Sequence, residues 1–449
     1  MRFADYSPPS TPTPDQQLDA LKKGLGRAKL WAGSAKLDDG PLLAACVRDL
    51  RHDQDLDEPR SAWIWSMVED IGAVDRFRVP ILRALDDLPD PHDAYQLCDF
   101  AGRHAEAGDD RFRARLYEIV EQRPFAGRHW LSDGVGEGNL IDVDGEAGFL
   151  FVARRTANRL AGRDWNSFDD GYLIHVAIEQ FGEPRVWELL SGDSDPALVA
   201  YREGWDRFRR TEAEERERRA SRKPNRLLSV DEILAAAGGI VAKFNLFSNW
   251  GCWAAADDLM PVHQRLCDTR EPFEMLNLFA LFSRRAFPRF DTRLIDLCRH
   301  ADAEIRRRAI QALALISHPR VREFALELLL GKSRANSVIA LFVMNYEPGD
   351  DRHILDAIEL PDDADARHSP LIAVIDALEA NPSADRSELG IMAYAETPCE
   401  YCRWKAIKLL HDPLIAPEWL TEECRADSYE NARRYAHLTT RFRRPRGPR

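Results

Sequence analysis

The chain of 449 residues is 45% hydrophobic and 31% charged, with a formal net charge of −13 at pH 7. This balance excludes wholesale disorder, and no apolar run approaches the roughly 20 residues of a membrane-spanning helix, so a membrane protein is excluded as well. The negative charge disfavours general attraction to nucleic acid, although a local basic face could override the average.

The first 130 residues divide into a short leader and a helical region. Residues 1–16 are rich in proline, serine and threonine and lack the apolar stretch of a secretion signal, so we predict a disordered leader on a cytoplasmic protein. Residues 17–130 show one-sided helical patterns, which predict N-terminal helical repeats. One of these helices is expected to follow Asp109, with Phe112 and Leu116 on its buried side.

The middle of the chain differs from both ends. Residues 131–227 open with a glycine-rich acidic stretch, 132–148, which we predict to be an irregular loop followed by helices. The mixed charges of residues 206–223 are typical of a solvated helix, and we place a domain boundary at its end. Residues 228–286 are predicted to be a helical section rich in aromatic residues.

The C-terminal third, residues 287–438, contains a repeated helical pattern. The predicted helix after Asp302 has Ile305, Ala309 and Leu313 on one face, and Asp302 is a suitable N-cap residue. The frame recurs at steps of 31, 30, 36 and 30 residues, and its first position is occupied in turn by Asp302, Ser333, Asp363, Cys399 and Tyr429. An arginine four residues later recurs as Arg306, Arg367, Arg403 and Arg433. Residues 439–449 are predicted to be a disordered basic tail.

This Asp-x-x-Ile-Arg-x-x-Ala-x-x-Ala-Leu pattern, with a period near 30 residues, resembles HEAT repeats, and in particular the short HEAT-like repeats named after phycobilin lyases. The resemblance implies an all-α fold, an α-solenoid (alpha-alpha superhelix) of antiparallel helical pairs, here with an irregular helical middle section. It also implies that the recurring arginines bridge adjacent repeats and that the second helix of each pair lines the concave side. Pro370 departs from the pattern, so we expect that helix to start late, with Ser369 as its N-cap.

Cations and aromatic rings on the repeat helices are candidate partner-binding residues. The polar positions of the expected concave side are mostly cationic, which predicts a basic groove on an acidic protein. The candidates on this side are Arg307, Arg308, Arg334, Trp404, Lys405, Lys408 and Arg434. Trp250 and Trp253 belong to a second aromatic concentration, which either anchors a partner or fills the core.

The acidic stretch offers candidate metal ligands. Asp142, Asp144 and Glu146 could coordinate a hard cation or serve as general acid and base, but the spacing of an EF-hand loop is absent, and a solvated loop is the alternative interpretation. The glycines of residues 134–138 are also found in phosphate-binding loops. No lysine followed by serine or threonine accompanies them, so we do not expect nucleotide binding.

Two cysteines form the most specific local motif. Cys399 and Cys402, separated by two residues at a predicted helix start, are candidates for a redox pair or for half of a zinc site. The alternative is that Cys402 packs in the core, because it occupies the same frame position as Ile305. The eight cysteines of the chain lie mostly in apolar helical patterns, which favours reduced core residues in a reducing compartment.

No catalytic serine, histidine or cysteine constellation is evident in the sequence. We therefore expect a non-catalytic cytoplasmic interaction or scaffold protein, without a cofactor, that binds an acidic or extended protein partner in its concave groove. One alternative is a nucleic-acid-binding or DNA-repair protein of the HEAT-like class, which the net charge opposes. A second alternative is a lyase-type or metal-dependent enzyme that uses the acidic residues 133–146.

The basic residues of the chain are mostly arginine rather than lysine. This preference is common in proteins encoded by GC-rich bacterial genomes.

Overall fold

The computed structural model describes residues 6–88, 90–122, 134–160, 172–192, 194–221, 228–239, 244–331, 335–411 and 415–443. Throughout these residues the regular secondary structure is helical and no strand occurs, so the all-α prediction is confirmed. No helix in the described ranges combines the length and apolarity needed to cross a bilayer.

The chain forms two compact units. One unit is Ser10–Lys223, and the other is Pro224–Arg449 together with Met1–Pro9. The division after Lys223 falls at the end of the charged run of residues 206–223. We call Ser10–Lys223 the N-terminal unit and Pro224–Arg449 the C-terminal unit.

In the N-terminal unit most consecutive helices contact each other along the chain. Helices two positions apart also touch, as α2 does with α4 and α4 with α6. The helices are α1 Pro14–Lys23, α2 Gly26–Gly33, α3 Asp39–Val47, α4 Ser61–Asp70, α5 Val74–Asp86, α6 Pro91–Glu106, α7 Asp110–Gln122, α8 Glu137–Leu160, α9 Tyr172–Phe181, α10 Glu183–Gly192 and α11 Pro196–Ser221.

Two helix starts in this unit bear on the sequence predictions. Helix α1 begins at Pro14, inside the stretch that we predicted to be a disordered leader, because Thr13 and Gln16 form a capping box and Pro14 suits the first turn. Helix α7 begins directly after Asp109, as the repeat frame predicts, and buries Phe112 and Leu116.

The acidic stretch that we predicted to be an irregular loop is helical from Glu137 onward. Helix α8 covers most of it and bends sharply at Gly145, whose φ of 57° and ψ of −128° are not helical. The bend brings Gly148 against the carbonyl oxygen of Leu140, so close that a Cβ atom on Gly148 would lie 2.1 Å from that oxygen. These two glycines therefore allow a tight bend in a helix.

A buried histidine makes the stability of the N-terminal unit pH-dependent. His104 is 1% exposed, and its ring stacks on Phe112 with centroids 4.3 Å apart and meets Trp65 edge-on. Neither ring nitrogen has a hydrogen-bond partner in the described residues. Burial lowers the pKa of His104 to about 4, against about 6.5 for an unfolded histidine.

Replacing His104 with phenylalanine is expected to flatten the acid limb of the stability curve. With histidine, the unfolded chain takes up a proton first, so the free energy of unfolding falls as the pH drops from about 6.5 to about 4, by about 3 kcal/mol. Urea unfolding at several pH values, followed by tryptophan fluorescence, measures this difference. His353→Phe, at an exposed histidine, serves as the control. If the stability of the His104→Phe variant fell with pH as steeply as that of the parent chain, the lowered pKa of His104 would be contradicted.

The C-terminal unit is also a succession of contacting helices. Here α13 touches α15, α15 touches α17, and α22, α24 and α26 contact one another in series. The helices are α12 Val230–Ala237, α13 Phe244–Trp253, α14 Ala256–Asp268, α15 Pro272–Leu281, α16 Arg293–Leu297, α17 Ala303–Leu313, α18 Pro319–Leu330, α19 Ala335–Val338, α20 Phe342–Asn345, α21 Asp350–Ala357, α22 Ala364–Ala380, α23 Ser387–Glu396, α24 Glu400–His411, α25 Glu418–Arg425 and α26 Glu430–Arg443, with a 3₁₀ turn at Ile339–Leu341.

The repeat frame predicts helix starts in the C-terminal unit correctly. Four helices begin immediately after the first frame position, which is occupied by Asp302, Asp363, Cys399 and Tyr429. Ser333, the remaining member, lies outside the described residues. The carboxylates of Asp302 and Asp363 accept hydrogen bonds from main-chain N–H groups of the first turn, as N-cap residues do.

At least three of the recurring arginines make the same local contact. Each donates to a main-chain carbonyl oxygen six residues earlier: Arg306 to His300 at 2.7 Å, Arg367 to Pro361 at 2.7 Å, and Arg433 to Asp427 at 2.6 Å. Arg403 forms a buried ion pair with the Asp427 carboxylate. Arg367, which also pairs with Glu396 at 3.1 Å, and Arg403 therefore bond to a later segment of the chain, as a bridge between helical pairs requires. The contact shared by Arg306, Arg367 and Arg433 joins a helix to its own preceding turn.

Two boundaries in the C-terminal unit differ from the predictions. Helix α22 does not start late at Ser369, because Asp363 caps it and Pro370 lies buried inside the helix, where it removes one hydrogen bond without ending it. Helix α26 continues to Arg443, so the first residues of the predicted disordered tail at 439–449 are helical. The residues after Arg443 lie outside the described part of the chain.

Candidate functional site

A groove of about 1180 Å³ lies on the C-terminal unit, lined by residues of α13 to α22. Its floor contains the half-buried apolar side chains of Leu315, Leu328, Val343 and Ile372. Helix α17 supplies much of the lining, and α22 contributes further residues. The groove is therefore an open, mainly apolar concavity rather than an enclosed cavity.

Four arginines line this groove, but three are already engaged. Arg306 binds main-chain carbonyl oxygens, and Arg307 and Arg308 both donate to Glu304, with Nε–O distances of 2.7 and 2.9 Å. Hydrogen bonds from Arg307 and then Arg308 lower the pKa of Glu304 to about 2, so it stays ionised and offsets their charge. Arg284 is exposed and forms no ion pair with any described residue, which makes it the cation most accessible to a partner.

The other predicted cations that belong to the described residues do not line the groove. Lys405 binds Asp376 and Glu379 at 2.9 and 2.8 Å, and Asp376 is itself a groove residue. Lys408 lies over the Trp404 ring, 4.2 Å from its centroid. Arg434 pairs with Glu430 at 2.6 Å, and Arg334 lies outside the described residues. The continuous basic surface that the sequence led us to expect is thus divided by carboxylates.

The aromatic residues of α13 have separate roles. Trp250 is 3% exposed and donates its indole N–H to the carbonyl oxygen of Leu228, so it fills the core and cannot anchor a partner. Trp253 is 76% exposed. Phe244 lines the groove beneath the guanidinium of Arg308, 4.7 Å from the ring centroid. Sequence reasoning did not single out Phe244 as a groove residue.

The three candidate carboxylates of α8 do not converge on one point. Asp144 pairs with Arg113 at 3.1 Å, and Glu146 pairs with Arg185 at 2.7 Å. Asp142 faces Asp99 and Glu106 instead, and burial followed by repulsion from these acids raises its pKa. Within the described residues the three therefore form no common cation site, and the metal-site hypothesis for them loses its geometric basis.

The two cysteines of the Cys399-x-x-Cys402 motif lie beside a histidine from an earlier helix. The Nε2 atom of His368 on α22 is 3.2 Å from the sulfur of Cys402 on α24, and the ligating atoms of His368, Cys399 and Cys402 all lie within 4.8 Å of one another. Cys399 is the residue before α24, whereas Cys402 is buried in its first turn. We call these three residues the Cys–His cluster.

Electrostatics distinguish the two thiols of the Cys–His cluster. A hydrogen bond from the Cys402 thiol, and less so the neighbouring His368, lowers the pKa of Cys399, although burial opposes the shift. The pKa of Cys402 is raised by the same hydrogen bond and by burial. One sulfur is thus prepared to carry negative charge at the start of a helix, where the dipole also favours it.

Sequence reasoning missed His368, although the repeat frame contains a signal for it. His368 follows Arg367, one repeat before Cys402, which itself precedes Arg403. Residues beside the recurring arginine in successive repeats lie on contacting helices, here α22 and α24. A search for ligating residues next to that arginine in successive repeats would have found the pair.

A second cluster has a less suitable geometry. His263, Cys267 and Asp291 also bring ligating atoms within 4.8 Å of one another. Two hydrogen bonds from Arg293 occupy both oxygens of Asp291, and the Arg293 side chain lowers its pKa to about 2. His263 and Cys267 are buried. The carboxylate therefore already has a cationic partner.

No protein-family model matches this chain, and a search of curated proteins finds no significant sequence match. The functional interpretation therefore depends on the geometry of the chain itself.

Proposed function

We propose that the chain is a non-catalytic interaction or scaffold protein that binds an extended segment of a partner protein in the groove of the C-terminal unit. The observation that carries this proposal is the groove: an open volume of about 1180 Å³ with an apolar floor and an accessible arginine. Concave, mainly apolar surfaces with a few polar groups are the usual form of a binding site.

The proposed architecture is an α-solenoid of HEAT-like helical pairs. Its support is the repeat frame, which coincides with four helix starts and places three arginines in the same contact with the preceding turn. The serial contacts of α22 with α24 and of α24 with α26 are those expected of stacked repeats. Solenoids of this kind present extended binding surfaces for macromolecules.

The lining of the groove suggests the chemistry of the partner. Leu315 and Ile372 offer apolar surface to aliphatic or aromatic side chains, and the exposed Arg284 offers a cation to a carboxylate. The exposed amide of Gln311 can bond the main chain of an extended segment. An extended peptide that combines apolar and acidic side chains therefore fits best.

Replacing Ile372 with glutamate is expected to weaken partner binding by about 30-fold, because the variant places a charge on the apolar floor that the partner must cover. Peptides selected by display against the full chain provide the ligands, and calorimetry or fluorescence anisotropy measures their dissociation constants. Leu330→Glu is the matched control, since Leu330 is 60% exposed and does not line the groove.

The charge of Arg284 is expected to affect the rate of association, which is a different measurement from the affinity. Arg284→Glu is expected to slow association and to weaken its dependence on salt, because rim charges act mainly on the encounter rate. Equal losses in the Ile372 and Leu330 variants, or no peptide selected at all, would reject the groove as the binding site. Displacement of the selected peptide by duplex DNA at low salt would favour the nucleic-acid alternative.

A further inference from the structure

The Cys–His cluster combines donors from two helices that contact each other. His368 comes from α22, and Cys399 and Cys402 come from the start of α24, so the three donors come together only when the two helices pack. A cysteine pair within one turn and a histidine from another helix is a donor arrangement common to structural and catalytic zinc sites.

The distances fit a thiophilic divalent cation. Zinc bonds of about 2.3 Å to sulfur and about 2.0–2.1 Å to nitrogen place tetrahedral ligand atoms roughly 3.5 Å apart. The nitrogen of His368 is 3.2 Å from the sulfur of Cys402, and all three ligating atoms lie within 4.8 Å of one another. Small side-chain movements therefore suffice to surround an ion.

Exposure distinguishes this cluster from a packed core pair. Cys402 is buried, whereas Cys399 and His368 are half-buried and reach solvent. An ion can enter from the side of Cys399, and a water molecule or another ligand can occupy a fourth position. The cluster at His263 lacks this accessibility, and its carboxylate is held by Arg293.

We propose that His368, Cys399 and Cys402 bind one Zn²⁺ ion or a similarly thiophilic divalent cation, with a fourth coordination position open to solvent. Both cysteines bind as thiolates, so binding releases their thiol protons to water. Two thiolates and one neutral imidazole balance the charge of the divalent ion. The bound ion links α22 to α24, and it does so independently of the groove function proposed above.

Metal titration of the full chain tests this proposal. The reduced, metal-free protein is titrated with Zn²⁺ or Co²⁺, and we expect one equivalent to bind, with the intense near-ultraviolet band that thiolate-to-cobalt charge transfer produces. Cys399→Ser removes one ligand but keeps a good N-cap residue, so the fold is expected to survive. Mutation of residues that support metal ligands lowers metal affinity by roughly 10- to 100-fold. Loss of Cys399, a direct ligand, should lower the Zn²⁺ affinity by more than this.

Three further variants make the test specific. His368→Ala is expected to weaken Zn²⁺ binding while the thiolate band of the cobalt complex persists. Cys252→Ser, at an exposed cysteine outside both clusters, should bind the metal as the parent chain does. Cys267→Ser should also leave binding unchanged, which separates the two clusters. Circular dichroism of every variant confirms that the helices remain.

Several outcomes would overturn the proposal. The proposal is wrong if the reduced chain loses Zn²⁺ to a weak chelator. Metal binding that persists unchanged in the folded Cys399→Ser and His368→Ala variants would also reject it. A reduced chain that binds no metal but readily forms a mapped Cys399–Cys402 disulfide would assign the cluster to thiol redox chemistry instead.

Discussion

Replacing Arg403 with methionine is expected to lower the free energy of unfolding of the C-terminal unit by about 3–5 kcal/mol. The Arg403 and Asp427 side chains are completely buried and joined by two hydrogen bonds of 3.0 and 2.9 Å. The variant leaves the Asp427 carboxylate buried without its cation, and that desolvation penalty is the source of the effect. Urea unfolding followed by circular dichroism measures it.

Two comparisons isolate the buried charge as the cause. Arg434→Met removes an exposed pair with Glu430 on a nearby helix, and we expect it to change the stability by less than about 1 kcal/mol. Adding Asp427→Asn to the Arg403 variant should recover much of the loss, because the carboxylate charge that Arg403 neutralised is then removed as well. Equal effects of the Arg403 and Arg434 variants would contradict this explanation.

Replacing Gly251 with alanine is expected to destabilise the C-terminal unit by about 3 kcal/mol. Gly251 lies where α13 crosses the end of α15, and a Cβ atom there would be 1.9 Å from the carbonyl oxygen of Leu281. The obstacle is main chain, which cannot rotate away as a side chain can, so the helices must separate. The midpoint of thermal or urea unfolding reports the change.

The direction of the stability change in the Gly251→Ala variant distinguishes steric overlap from helix propensity. Helix propensity alone would predict that alanine stabilises a helix by about 1 kcal/mol relative to glycine. Gly238→Ala is the control in the same unit, because its added Cβ atom would meet only the Ala235 carbonyl oxygen at 3.8 Å, an ordinary contact. A Gly251 variant as stable as the parent chain would show that α13 and α15 can move apart without loss.

Helix positions could be predicted from the sequence because their signals are local. A capping carboxylate such as Asp302 or Asp363 and a periodic apolar face act within a few residues, so both appear in the sequence. The bend in α8 was missed because glycine is ambiguous. Gly145 and Gly148 suit a loop equally well until the closeness of Leu140 to Gly148 is known.

The candidate sites depend on contacts between distant residues, and these could be predicted less well. The cationic character of Arg307 and Lys405 was evident from the sequence, but their pairing with Glu304 and Asp376 depends on side-chain geometry. The side chains of His368 and Cys402 are in contact although the two residues are 34 positions apart in the sequence. The motif was therefore visible as a cysteine pair, while its third member required the packing of two helices.

The contact shared by Arg306, Arg367 and Arg433 has a consequence for how the C-terminal unit folds. Each of these hydrogen bonds closes a loop of only six residues, so little chain entropy is lost when it forms. Helix and turn can therefore assemble before distant segments meet, and low contact order of this kind accompanies fast folding. The bond of Arg403 to Asp427 spans 24 residues and that of Arg367 to Glu396 spans 29, so both must wait until more distant segments have packed together.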